Sequence, residues 1–197
     1  MSNSSRGANE LWLIRHGETE WSLSGAHTSH TDLPLTENGR RRAAAIGQYL
    51  AGRPFALVLS SPLQRAVDTC RLAGYGAACQ IDPNLCEWNY GDYEGRTTAD
   101  IQKENPGWSI WTGTPLHGET IEQVAARADA VLQRAESADG PVLLFAHGHF
   151  LRVLTACWLE LTPDNGRLFA LGTGTISILG YERTTQVITR WNLSVSE

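Results

Sequence analysis

"LWLIRHGETEW", residues 11–21, sets four apolar residues directly against an arginine, a histidine and a glycine. A short continuous apolar run fits a strand buried on both faces, as in a parallel sheet covered by helices. Two more such runs follow, "FALVLS" at 55–60 and "PVLLFA" at 141–146. Each leads into a segment with helical spacing. After Thr36, the residues Ala43, Ile46 and Leu50 share one face, and Gly52 stops the pattern. Ser61 and Pro62 read as an N-cap with proline at the first helical position. Leu63, Ala66, Val67 and Cys70 form the apolar stripe behind them, ended by Gly74. Thr120 and Gln123 read as a capping box ahead of Ile121, Val124, Ala125, Ala128, Val131 and Leu132. A last helix is expected over 149–159.

The tail differs. "TISILGY" and "QVITRW" are β-rich runs separated by a polar turn, which predicts a hairpin at a sheet edge. Residues 82–118 are rich in Gly, Pro and Trp and long for a loop, so the stretch is functional or holds a short helix near 97–104. Together these patterns predict an α/β fold, a three-layer α/β/α sandwich with a mostly parallel central sheet. No linker or repeat divides the chain. Residues 1–10 are expected to form a flexible N-terminal segment and 11–197 a single domain.

The 197 residues are 42% hydrophobic and carry a formal charge of −5, which argues against nucleic-acid or anionic-membrane binding in general. "MSNSSRGANE" at the start has no apolar h-region. No apolar run approaches the roughly 18 residues of a spanning helix. Cys70, Cys79, Cys86 and Cys157 form no CxxC pair and no zinc-like spacing. The expectation is a cytoplasmic protein with four reduced thiols.

In open α/β sheets, ligands bind beyond the carboxyl ends of the strands. Arg15 and His16 stand at one such end and His147 at a second. Ser61, opening the helix that carries Arg65, stands at a third. Two arginines and two histidines at three strand ends suit an anion, because arginine matches phosphate oxygens bidentately. Gly17 and Gly148 allow backbone amides to approach closely, and helix N-termini add partial positive charge.

"RHGETEW", "LPLTENG", "SSPLQRAVDT", "EWNYGDYEG", "GETIEQVAARAD" and "AHGHFLRVL" stand in that order over about residues 11–160. This series resembles the histidine phosphatase superfamily, in the branch that holds cofactor-dependent phosphoglycerate mutases and their phosphatase relatives. The resemblance implies a phosphoglycerate mutase-like fold, His16 as nucleophile, Arg15 and Arg65 as clamps on the phosphoryl oxygens, and His147 as a second histidine on the same group. It makes Glu87 the general acid. A leaving alkoxide needs a proton, and a carboxyl facing a phosphate dianion is expected to have a raised pKa. Ser22 stands where the family usually has Asn. Thr28 and Ser29 align with a small polar pair near the phosphate, and Tyr90 and Gly148 complete the substrate-binding set. Glu119 and Thr120 resemble a Gly-Glu-Ser motif. Glu18 orients the nucleophile or the arginine, Asp92 and Glu94 are nearby acidic alternatives to Glu87 that read rather as solvated or structural, Arg152 reads as structural, and His149 as structural or substrate-adjacent.

The resemblance implies no metal and no cofactor, with a small phosphorylated substrate or free phosphate as ligand. A metal site drawn from His27, His30, Asp32, His147 and His149 is the alternative from another class, against which no HxxxH or HExxH pattern appears. A non-catalytic phospho-ligand module is disfavoured because His16 and Glu87 are both present. Within the family the rival is a mutase, which adds basic residues after the Glu motif. Here "NPGWSIWTGTPLHGE" has no Arg or Lys, and "EWNYGDYEG" with "AHGHFLR" resembles relatives that hydrolyse sugar phosphates or act as broad acid phosphatases.

Overall fold

A computed structural model describes residues 10–195. The flexible segment expected over 1–10 lies, apart from Glu10, outside the described residues. Six strands form one sheet in the order β3-β2-β4-β1-β5-β6. Its parallel part comprises β1 (Leu11–Arg15), β2 (Leu57–Ser60), β3 (Cys79–Ile81) and β4 (Val142–Ala146). Strands β5 (Thr175–Glu182) and β6 (Thr185–Ser194) form the tail hairpin, with β5 antiparallel to β1 and β6 at the edge. The three expected strands, the hairpin and its edge position are all present. Strand β3, three residues long, carries no apolar run and was not legible.

Strand alternation assigns the two cores. Leu11 and Leu13 of β1, Leu59 of β2 and Leu144 of β4 face one side, where they meet α5 (Ile121–Glu136) and α6 (Gly148–Trp158). Trp12, Ile14, Val58, Leu143 and Phe145 face the other, against α2 (Glu37–Leu50) and α3 (Gln64–Leu72). Strand β4 is buried along its whole length, and each of its large apolar side chains contributes about 1.5–3 kcal/mol. Thr36 caps α2 through the N–H of Gly39, and Thr120 with Gln123 forms the capping box of α5. Such a cap stabilises by about 1 kcal/mol.

One helix start differs from expectation. Helix α3 begins at Gln64, with Leu63 at its N-cap and no side-chain cap from its own turn. The Ser61 hydroxyl is engaged instead by His147 at 2.8 Å and the N–H of Leu63 at 3.3 Å. Asp32 accepts the N–H of Gln64 at 2.8 Å, so a distant loop caps this helix. Residues 82–118 hold two single 3₁₀ turns and α4 (Thr98–Glu104), close to the short helix expected at 97–104. A five-residue helix, α1 (Glu20–Ser24), follows the first motif.

The strands end in step. The N–H of His16 bonds to Ala146 O and that of Ser61 to Phe145 O, both at 3.0 Å. His16, Ser61 and His147 therefore emerge side by side at one edge of the sheet. Among the described residues, no helix is long and apolar enough to cross a membrane. All four cysteines are free thiols.

Candidate active site

Beyond that edge lies a cleft of about 400 Å³. Arg15, His16, Ser22, Thr28, Glu87, Tyr90 and Gly148 line it, with His27, His149, Trp111 and Arg152. Seven of the ten residues proposed for the site from sequence thus come together. Arg65, His147 and Ser29 do not reach the cleft wall.

His16 sits in the RHG turn, which packs against α2 so tightly that a Cβ on Gly17 would lie 2.5 Å from the carbonyl oxygen of Gly39. Its Nδ1 lies 2.7 Å from the Gly17 carbonyl, an acceptor, so Nδ1 carries the ring proton. The lone pair is then on Nε2, which takes no protein partner among the described residues. Burial holds the imidazole well below its usual pKa, with Arg65 and then Arg15 adding to the effect. The ring is therefore neutral and nucleophilic over an acidic range. Gly17 N–H donates to Thr69 Oγ1 at 3.0 Å, and the N–H of Gly174 bonds the carbonyls of both Arg15 and His16. Thr69 and Gly174 hold the turn, and neither was singled out in the sequence.

Arg15 donates one Nη1 proton to the carbonyl of Leu171, while its buried Nε–H has no partner among the described residues. A buried guanidinium donor without an acceptor is costly, which is what a group built to meet an anion looks like. Burial lowers its pKa from the ordinary value, and Glu87 opposes that shift. Gly148 makes room for it: a Cβ there would stand 3.1 Å from Arg15 Cζ.

Arg65, expected as a second clamp, makes its hydrogen bonds within the protein. It is fully buried, donating to the carbonyls of Thr28, Ser29 and Thr31 and from Nε to His147 Nδ1 at 3.2 Å. Its guanidinium holds the loop at 28–31, and its charge lowers the pKa of His16. His147, also fully buried, accepts from Arg65 on Nδ1 and therefore donates from Nε2 to Ser61 Oγ. Both ring nitrogens are engaged within the protein. Its ring stands 5.1 Å from that of His16, edge to face. Ser29 is buried with its N–H and hydroxyl on Glu94, which makes Glu94 the anchor of this loop. Ser22 and Thr28 line the cleft, but their hydroxyl protons go to the carbonyls of Thr19 and Ala26.

Glu87 lies at the N-terminus of α6, whose N-cap residue His147 supplies no cap of its own. Its Oε1 accepts the N–H of Trp88 at 2.9 Å and of Phe150 at 2.8 Å, and its Oε2 that of His149 at 3.0 Å. The carboxylate thus takes two of the amides that a helix start leaves unpaired. Arg127 fixes the segment from behind. It pairs with Glu119 at 2.8 Å and bonds the carbonyls of Asn84, Cys86 and Glu87. Sequence reasoning missed Arg127; its place two turns beyond Glu119 was the available signal. Glu18 bonds Thr36 and Asn38, outside the cleft wall.

The far wall is aromatic. Tyr90 OH and His149 Nδ1 share a 2.6 Å hydrogen bond, and His27 packs on Tyr90 at 4.6 Å. Burial lowers His149 well below the usual imidazole range and His27 to about 4. His30 is exposed. Among the described residues, no group of three or more His, Cys, Asp or Glu side chains is gathered as a metal ion would need.

The description "Histidine phosphatase superfamily (branch 1)" matches residues 11–194 of this chain. Over 180 residues the chain is 40% identical to an acid phosphatase of Mycobacterium tuberculosis, covering 88% of this chain and 87% of that one. It is 34% identical to the sedoheptulose 1,7-bisphosphatase of Saccharomyces cerevisiae, covering 76% and 67%. The solved structure of a functionally characterised Mycobacterium tuberculosis open reading frame superposes with a TM-score of 0.90 at 38% identity, over 95% of this chain and 99% of that one.

Proposed function

This chain belongs to branch 1 of the histidine phosphatase superfamily, and on that premise we propose that it hydrolyses small phosphorylated metabolites through a phosphohistidine on His16. The observation that carries this reading is the His16 tautomer: Nδ1–H is tied to Gly17 O, which leaves Nε2 without a partner among the described residues, in the cleft that Arg15 also lines. Phosphatase activity is what the names of these relatives share, and that of the second specifies a sugar bisphosphate.

The substrate phosphate sits against Arg15 and the start of α6. The Nε2 lone pair forms the N–P bond as the P–O bond to the alcohol breaks, and the departing oxygen takes a proton from Glu87. Oε1 of Glu87 already accepts two amides and Oε2 one, so Oε2 is the oxygen that carries this proton. The carboxylate then removes a proton from water as its oxygen attacks phosphorus. The P–N bond breaks, its electron pair returns to Nε2, and phosphate leaves. Arg15 supplies charge stabilisation to both steps. Arg65 and His147 act as positioning residues: Arg65 holds the 28–31 loop and the ring of His147 behind His16.

The test is His16→Ala. Turnover should vanish, and wild-type enzyme quenched during reaction should carry an acid-labile, alkali-stable phosphate. Substantial turnover by the variant would overturn the reading.

A further inference from the structure

The sequence reading left the cleft without a cation beyond the phosphate, and Arg152 changes that count. It lies on α6 four residues after Gly148, hence on the same helix face and just over one turn, about 6 Å, further along. The Arg15 guanidinium of β1 packs against Gly148, and Arg152 lines the same cleft, so two guanidinium groups face it.

Arg152 is held as a presented charge. Its guanidinium lies 4.5 Å above the ring of Trp111, donates from Nε to Gly166 O at 3.1 Å and from Nη2 to Arg167 O at 3.2 Å. Among the described residues no carboxylate pairs with it, and its Nη1 has no acceptor. A half-buried cation compensated by carbonyls and a ring face alone is expensive to maintain. Burial accordingly lowers its pKa, with Glu87 acting in the opposite direction. The surrounding wall adds no competing negative charge: Glu87 is the single carboxylate lining the cleft among the described residues, and His27 and His149 are neutral.

Building on the phosphatase reading above, the geometry points to a second anion subsite at Arg152 over Trp111, which selects phosphomonoesters bearing a carboxylate or second phosphate a short carbon spacer from the scissile group. Trp111 fixes the guanidinium plane, so Nη1 meets the anion from a set direction. The rest of the spacer lies along the aromatic wall of Tyr90 and Trp111.

The test measures kcat/KM for wild type, Arg152→Gln and Arg152→Lys on two matched pairs. One is 3-phosphoglycerate against glycerol 3-phosphate, which differ by a carboxylate. The other is propane-1,3-diol bisphosphate against its monophosphate. Any general loss from a disturbed turn at 163–168 cancels in the ratio within a pair. Wild type should prefer the doubly anionic member of at least one pair. Arg152→Gln should cut that preference about 10- to 100-fold, the scale of a charge-assisted hydrogen bond, and Arg152→Lys should restore part of it. The pair that responds identifies the second anion as carboxylate, phosphate or both. Unchanged ratios in both pairs would overturn the subsite. Phosphate release from none of the four substrates would overturn the phosphatase reading itself, and the subsite with it.

Discussion

Glu87→Gln separates the two things that one carboxylate does. In the folded protein its oxygens accept three backbone N–H groups, two at Oε1 and one at Oε2. Glutamine keeps one acceptor oxygen. Placed at the Oε1 position, the amide oxygen retains Trp88 and Phe150, while the NH₂ group faces the N–H of His149, donor against donor. An unmade bond at a buried amide costs about 1–3 kcal/mol, and removing a negative charge from the start of α6 costs about 0.3–1 kcal/mol more. A total of about 1–4 kcal/mol should lower Tm by about 3–16 °C in a chain of this size. The kinetic effect is separate. Glutamine cannot protonate a leaving oxygen, so hydrolysis of an alkyl phosphate such as glycerol 3-phosphate should fall by about 10²–10⁴. A nitrophenolate leaves without a proton, and 4-nitrophenyl phosphate should lose far less in the phosphorylation step. Calorimetry and paired steady-state assays read the two effects. Equal losses on both substrates in kcat/KM, which reports the phosphorylation step and not the later attack of water, would refute the acid role and leave Glu87 as a shaper of the site. An unchanged Tm would refute its role in capping α6.

Three further outcomes are expected. Activity should survive EDTA, since the guanidinium groups and helix start supply the charge a divalent ion would bring; loss on chelation with rescue by one ion would reverse this. His27 titrates at about 4 when folded, against 6.5 in the unfolded chain. Between those values the unfolded state binds the proton and the native state does not, so stability falls as pH drops from 6.5 to 4, by up to about 3 kcal/mol from this group. His27→Asn should flatten the denaturation-derived stability curve across that window, and parallel curves would contradict it. Finally, residues 105–119 contain no Lys or Arg, so phosphate release should outpace interconversion of 3- and 2-phosphoglycerate with added 2,3-bisphosphoglycerate. Isomerisation thousands of times faster than hydrolysis would refute the reading of that cation-free stretch.

What could be read in advance was local. Continuous apolar runs before Arg15, Ser61 and His147 placed three strand ends together, and the register of β1, β2 and β4 aligns them. Caps at Thr36 and Thr120 were equally plain, because the donor and acceptor lie three residues apart. The direction of a long side chain was not. Arg65 and Arg152 each stand in the first turns of helices behind strand ends. Arg65 turns inward because the carbonyls of 28–31 arrive from a distant loop, while Arg152 turns to the cleft because Trp111 and the 163–168 turn receive it. Ser61 illustrates the same limit: its sequence position reads as a cap, yet a histidine 86 residues away engages its hydroxyl. Contacts of that range leave no periodic trace.

The origins of the cleft's two ends bear on how such a protein diverges. The reacting end is carried by the tips of adjoining parallel strands, where a change in one tip displaces its neighbours through shared hydrogen bonds. The distal end comes largely from the loop-rich stretch between β3 and α5, fastened at its root by Arg127 on Glu119 and on three carbonyls. Insertions or deletions between Gly95 and Gly118 would therefore remodel substrate choice while leaving the nucleophile's seat intact. A lineage can then exchange one phosphorylated compound for another by loop drift, and a laboratory library confined to that interval should yield altered preference with retained chemistry.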